Sequence, residues 1–358
     1  MTDFSLYSTY IAGSSHIRDG RPVQDRADAF VLRLADGRQA AVLALADGHG
    51  SQAHFRSGIG AEFAIDAVRQ SVASFIPDIE AVVPRGDFLV TCAAGNRAGA
   101  IGTVMNRLFS DICARWCDSV LTHWRNNPPL PQDPPSPVPS RPYGCTLLGA
   151  VRLDGIWFAF QLGDGAVVAL DPAPARMDPV LPDPRCADNV TTSLCCNGPE
   201  DFRFCIGSEP PAALMLMSDG LERCYSTHCD IVGDFLVPVA DEAAAVGFDA
   251  AMAQMREQLP ILSAQGSHDD ISLAMWMNPE KAAFAAMRIQ PELVRRYSSE
   301  LESLRAELEG LELSAVRIRT DCSGTDDPEV RASVLRSLSR RRGEILEEIE
   351  YLRTRLGI

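Results

Sequence analysis

Short apolar runs bounded by turn residues recur along the chain. They are "QAAVLALA" (39–46), "CTLLGAVRL" (145–153), "IWFAFQL" (156–162), "AVVAL" (166–170), "ALMLMS" (213–218) and "ISLAMWM" (271–277). Being short and apolar at nearly every position, they suit strands covered on both faces rather than strands with one wet side. Asp154 and Gly155 stand between two of them and predict a tight hairpin, because that pair tolerates the positive φ such a turn requires. Residues 59–75, 98–124 and 242–259 instead carry apolar side chains at helical spacing. The order of strand, helices, run of strands, helix and strand favours an α+β layered fold over a βαβ repeat.

Two stretches break this pattern. Residues 127–142, "NPPLPQDPPSPVPSRP", are half proline and predict an extended surface connection inserted within a domain. After residue 277 the strands stop. From Pro291 onward, Tyr297, Leu301, Leu304, Leu308 and Leu311 alternate spacings of four and three, a heptad seam. "TDCSGTDDP" (320–328) interrupts it, and Leu338, Ile345, Ile349, Leu352 and Leu356 carry a second seam. Two such helices should fold back as an antiparallel hairpin. The expected organisation is a main domain over 1–280, with the proline-rich insertion at 127–142, followed by a helical hairpin or coiled-coil appendage over 289–358. That hairpin either packs on the main domain or acts as a homodimerisation or regulatory-partner arm, and the sequence favours neither.

Composition narrows the class without naming it. At 46% hydrophobic and 23% charged residues, the 358-residue chain is ordinary for a soluble protein. The start has no basic region followed by an apolar core, and no apolar segment approaches the roughly 18 residues that a membrane helix requires. Eleven scattered cysteines without CxxC spacing suggest reduced thiols and a cytoplasmic location. A net charge of -15 argues against a nucleic-acid partner, and the short basic run "SRRRGE" (339–344) is expected to be a solvated helix face. An anionic substrate would meet the same repulsion unless some local feature reverses it.

Candidate chemistry sits at the strand ends. "LALADGHGS" places Asp47, Gly48 and His49 after one apolar run, "FQLGDGAV" places Asp164 after another, and "LMLMSDGLE" places Asp219 after a third. Asp269 and Asp270 precede "ISLAMWM", and Asp25 precedes a further strand in "VQDRADAF". Carboxylates about 4 Å apart repel by roughly 4 kcal/mol per pair at an effective dielectric of about 20, so such a cluster requires a cation. Oxygen donors with no cysteine and one histidine select magnesium or manganese over zinc. Glycine after an aspartate lets backbone approach closely enough for a carbonyl to join the donors.

These motifs, with "CTLLGAV" and "SHDDISLA", resemble the metal-dependent serine/threonine protein phosphatases, the protein phosphatase 2C-like family, in the family's order across residues 10–278. "AGSSHIRDGRPVQD" is most similar to a bacterial branch. The resemblance implies a four-layer α-β-β-α sandwich ending here in the helical hairpin, with two Mn2+ or Mg2+ ions and a weaker third. It implies that Asp47 bridges two ions, that the Gly48 carbonyl binds one, and that Asp219 and Asp269 bind the other. Asp25 matches the residue that orders metal-bound water, Asp164 matches a ligand of the third ion, and Asp270 takes a supporting role. It further implies attack by a metal-bridging hydroxide on a phosphoserine or phosphothreonine protein, with His49 protonating the leaving oxygen. Two positions depart from the family: Gln24 stands where glutamate is common, and the usual phosphate-binding arginine is missing. Arg18, Arg21 and His16 are candidates to replace that arginine, and Arg176 or Arg185 could contact substrate from the irregular segment 172–211. The alternative function is a weak pseudophosphatase that serves as a phosphoprotein-binding scaffold.

Overall fold

The computed structural model describes residues 4–95, 99–171, 173, 177–186, 190–225, 230–320 and 328–358. Among these described residues, ten strands run in the order β1 (Ser5–Ile11), β2 (Arg26–Arg33), β3 (Gln39–Ala46), β4 (Leu89–Cys92), β5 (Leu147–Leu153), β6 (Ile156–Leu162), β7 (Ala166–Leu170), β8 (Arg203–Gly207), β9 (Ala213–Met217) and β10 (Ile271–Met277). The α-helices described are α1 (Ser14–Asp19), α2 (Ser57–Val82), α3 (Gly99–Asn126), α4 (Asp219–Glu222), α5 (Val237–Val246), α6 (Phe248–Gln265), α7 (Pro279–Thr320) and α8 (Pro328–Leu356). The strands form two antiparallel sheets, ordered β1-β10-β9-β7 and β2-β3-β5-β6-β8-β4.

Period-two alternation decides how the layers stack. Along β3, Ala40, Val42 and Ala44 point into the core shared with α2 and α3, where Val68, Phe109 and Trp116 are buried. Leu43 and Leu45 point the other way, into the layer between the sheets, beside Trp157, Leu214, Leu216 and Trp276. Along β10, Ile271, Leu273 and Met275 face the helical layer formed by α5, α6 and α7. Both faces of each central strand are therefore dry, as near-continuous apolar runs predict, and the result is an α-β-β-α sandwich.

Several expectations are corrected in detail. Residues 242–259 are not one helix: Gly247, at φ 91°, divides α5 from α6, because a left-handed backbone angle ends a helical turn. Segment 172–211 is not irregular throughout, since Arg203–Gly207 forms β8 between β6 and β4. The first C-terminal helix begins at Pro279, so Pro291 lies inside it.

The hairpin is not an isolated arm. Leu293, Tyr297, Leu301 and Leu304 of α7 and Ile345, Ile349 and Leu352 of α8 are buried in the same core as Phe235 and Leu236. At the junction, Arg355 lies 2.7 Å and Tyr297 Oη 3.2 Å from the buried Asp234 carboxylate, while Arg296 pairs with Asp230 at 3.0 Å. The basic run is internally matched: Arg341 pairs with Glu307 at 2.9 Å and Arg342 with Glu312 at 3.2 Å. Most of the turn between the helices, and Arg176, lie outside the described residues.

Candidate active site

Hydrogen bonds across strand ends build the site. The Asp47 N–H donates to Thr146 Oγ1 at 3.0 Å, and the Asp47 carbonyl accepts from the Thr146 N–H at 2.8 Å. The next turn is closed by the His49 N–H donating to the Gly144 carbonyl at 3.1 Å. In the other sheet, Ser218 and Ser272 exchange two bonds of 3.0 Å, fixing Asp219 against the start of β10. Ser272 Oγ then donates to Asp25 at 2.7 Å.

Glycines after the site's aspartates serve close backbone approach, as two of them show. A Cβ on Gly48 would stand 2.6 Å from the Gln24 carbonyl oxygen, and one on Gly220 would stand 1.9 Å from that of Asp270. Asp270 ties the N-terminal segment to this centre: its carboxylate accepts the Gly13 N–H at 2.8 Å and the Gln24 N–H at 2.6 Å, and lies 2.9 Å from His16 Nδ1.

Asp47, Asp164, Asp219 and Asp269 line one cleft of about 530 Å³ together with His49, Ser51, His54, Thr191, Ser193, Cys195, Cys196 and Arg223. Asp25 is buried behind them. The electrostatics are those of a cluster short of counter-charge. Burial, then Asp270 and the neighbouring aspartates, push Asp25 up to about 8. Loss of hydration and the Asp25 and Asp219 charges raise Asp47 well above the carboxylate range. Asp219 is raised by burial and Asp164, against a lowering contribution from Arg223. Asp47 and Asp219 thus act on each other, the Asp219 charge raising Asp47, so the pair gains from any added positive charge. Burial and the neighbouring His54 lower His49 to about 4. The His49 and His54 rings meet edge to face with centroids 4.9 Å apart, and His54 Nδ1 lies 2.9 Å from Ser51 Oγ.

This donor set fits hard divalent cations. A cation placed among the aspartates would supply the counter-charge they lack. Gln24 turns its Nε2 to Ser57 Oγ at 2.8 Å, which leaves its buried Oε1 without a hydrogen-bond partner among the described residues. That orphaned amide oxygen lies near Gly50 at the cleft rim and is a hard oxygen donor of the kind Mg2+ or Mn2+ accepts. Cys196, pushed up to about 11 by burial and Cys195, stays protonated and offers no thiolate to compete.

The substrate-binding candidates lie elsewhere. Arg18 is 73% exposed and pairs with Asp19, and His16 is buried beneath Asp269 and Asp270. Arg21 pairs with Asp19 and reaches no closer than the rim at Gly50. Arg185 is committed to Asp183 and Asp201. None of these four lines the cleft, because α1 and the Asp183 turn direct them outward or underneath. Arg223, His54 and Thr191 do line it and were not found from sequence; the only signal for Arg223 is its spacing four residues beyond Asp219, one helical turn.

A two-sheet sandwich with aspartates gathered at one edge defines a class of oxygen-ligated metallohydrolases. Residues 12–260 match the model of the family described as Protein phosphatase 2C, and the chain belongs to that family of Mn2+- or Mg2+-dependent serine/threonine phosphatases. No curated protein sequence matches significantly. Among solved structures, PppA, described as a key regulatory component of T6SS in Pseudomonas aeruginosa, is 16% identical, with 76% of this chain and 97% of that chain covered and a TM-score of 0.43. Stp1 from Staphylococcus aureus is 12% identical over 77% and 95%, with a TM-score of 0.46. The catalytic domain of PstP, in complex with two manganese ions, is 14% identical over 76% and 97%, with a TM-score of 0.42.

Proposed function

We propose that the cleft hydrolyses phosphoserine and phosphothreonine esters of proteins. The observation carrying this reading is the convergence of Asp47, Asp164, Asp219 and Asp269 on one cleft, with Asp25 buried beside them. A scaffold that only recognised phosphoproteins would gain nothing from carboxylates that raise one another's pKa. In this reading Asp47, the Gly48 carbonyl, Asp219 and Asp269 hold two divalent ions, Gln24 Oε1 faces the second, and Asp164 stands ready for a weaker third. Bound there, Mn2+ or Mg2+ neutralises phosphoryl charge and makes water acidic enough to react near neutral pH.

The remaining work falls to the chain. Asp25, anchored by Ser272, orders the attacking water and receives its proton. His49 is neutral in the free protein, and the arriving phosphate dianion shifts it toward the imidazolium. The proton that leaves with the serine or threonine oxygen is therefore taken up by His49 from solvent when the dianion binds. We further place the protein in the cytoplasm, where its cysteines stay reduced, and assign the hairpin a packing role. No described helix is long and apolar enough to cross a membrane.

Hydrolysis of a phosphothreonine peptide tests the proposal. Turnover should require Mn2+ or Mg2+ and disappear with excess chelator. Turnover that persists in chelator overturns it, and absence of Mn2+ binding at millimolar concentration by calorimetry would install the scaffold reading instead.

A further inference from the structure

The geometry points to Arg223 as the phosphate-recognition residue of this cleft, an assignment that rests on the phosphatase reading. Three observations converge on it. First, Arg223 is the only lysine or arginine among the described residues lining the cleft. The arginines of the N-terminal segment, which the sequence offered for this task, point to Asp19 instead.

Second, its position is fixed by the same turn that presents Asp219. Asp219 and Arg223 lie one helical turn apart, with the Asp219 carbonyl accepting the Arg223 N–H at 2.8 Å and the carboxylate 2.9 Å from Nη2. The guanidinium is thus held over the acidic edge while its side chain remains 48% exposed, open to a ligand entering the cleft. A planar guanidinium carries five N–H donors in a fixed fork that matches oxyanions bidentately, so one such side chain can serve a carboxylate and a phosphate in turn.

Third, the charge balance leaves Arg223 a role that no aspartate can take. Two divalent ions would balance the four aspartates lining the cleft. An incoming phosphate dianion then needs a further cation, in a protein whose net charge of -15 repels it. Arg223 supplies that charge locally. Once Asp219 is engaged by a cation, its hold on Nη2 weakens and the guanidinium turns toward the phosphoryl oxygens.

The test compares wild type with Arg223→Met and Arg223→Lys. Calorimetric titration of inorganic phosphate into the Mg2+-loaded protein reads phosphate recognition directly, whether or not the protein turns substrate over. Loss of turnover in wild type with phosphate binding intact would therefore sink the phosphatase reading and leave this one standing. Arg223→Met should weaken phosphate binding about 10- to 100-fold and raise KM for a phosphopeptide in proportion, with kcat changed less than about threefold. Arg223→Lys should recover part of the loss. Unchanged phosphate affinity in Arg223→Met overturns the assignment. So does a shifted Mg2+ isotherm that accounts for the whole defect, since Arg223 would then only balance Asp219. Circular dichroism of each variant confirms that the fold is kept.

Discussion

Two groups of acidic side chains among the described residues, one at the hairpin junction and one at the strand-end cleft, are treated in opposite ways. At the hairpin junction, Asp234 is enclosed but fully matched: it accepts from Tyr297, from Arg355 and, through its second oxygen, from the Asp230 N–H at 2.9 Å. At the strand-end cleft, Asp25, Asp47, Asp164, Asp219 and Asp269 face one another with Arg223 and two neutral histidines for company. Burial alone does not separate a structural carboxylate from a functional one. What separates them is whether the fold itself supplies the counter-charge, and a cluster left short of it is shaped for a ligand from outside.

The largest expected effect breaks the comparison on the functional side. Asp219→Asn should lower Mn2+-dependent turnover by at least ~10²-fold, measured on a phosphopeptide, while thermal stability of the metal-free protein holds or rises because a repelling charge is gone. Undiminished turnover would remove Asp219 from the machinery.

On the structural side, Arg355→Leu leaves the Asp234 carboxylate with neutral donors only. The expected cost is about 2 kcal/mol in urea unfolding, below the range for a fully buried pair because Arg355 is partly exposed, and turnover in excess Mn2+ should be unchanged. No loss of stability would mean that Tyr297 and the Asp230 amide suffice.

The cleft should also make metal-free stability depend on pH. A carboxylate raised in the folded state keeps a proton that the unfolded chain has lost, so its contribution is present at low pH and disappears as pH rises through the folded value. Asp25, at about 8, therefore predicts falling stability between pH 7 and 8.5, above the range in which His49 would oppose it. The slope is at most about 1.4 kcal/mol per pH unit for each retained proton. Melting curves in chelator should show the fall, and saturating Mg2+ should remove it; a flat metal-free profile would contradict the mutual raising of these carboxylates.

The smallest effect concerns Gln24. Gln24→Glu adds a charge at the orphaned oxygen and should tighten Mn2+ binding about tenfold by calorimetry, with a lower metal-free melting temperature. Unaltered affinity would place Gln24 outside the metal's reach.

Much of the frame was legible in the chain. The runs at 39–46, 156–162, 166–170 and 271–277 coincide with β3, β6, β7 and β10, because strands dry on both faces are apolar at every position. β1 was missed, since its pattern of serine, threonine and tyrosine suits a half-covered edge. β4 and β8 were missed because each is short and flanked by irregular chain. The aspartates of the cleft could be read because each stands at a break in such a run. Arg223 could not, because a lone arginine in a helical turn looks like any solvated side chain until the opposite sheet is in place.

By itself the sequence settled the central apolar strands, the helical seams and the acidic positions at the strand ends, since these follow from local periodicity and turn chemistry. Tertiary structure alone decided which cations meet those aspartates. Pairing 246 residues apart brings Gln24 to Asp270, α1 leaves Arg18 facing solvent, Asp19 holds Arg21 at the rim by Gly50, and α4 leaves Arg223 at the cleft. Long-range charge balance is set by how separate elements are aimed at one another, and no local pattern of residues records that.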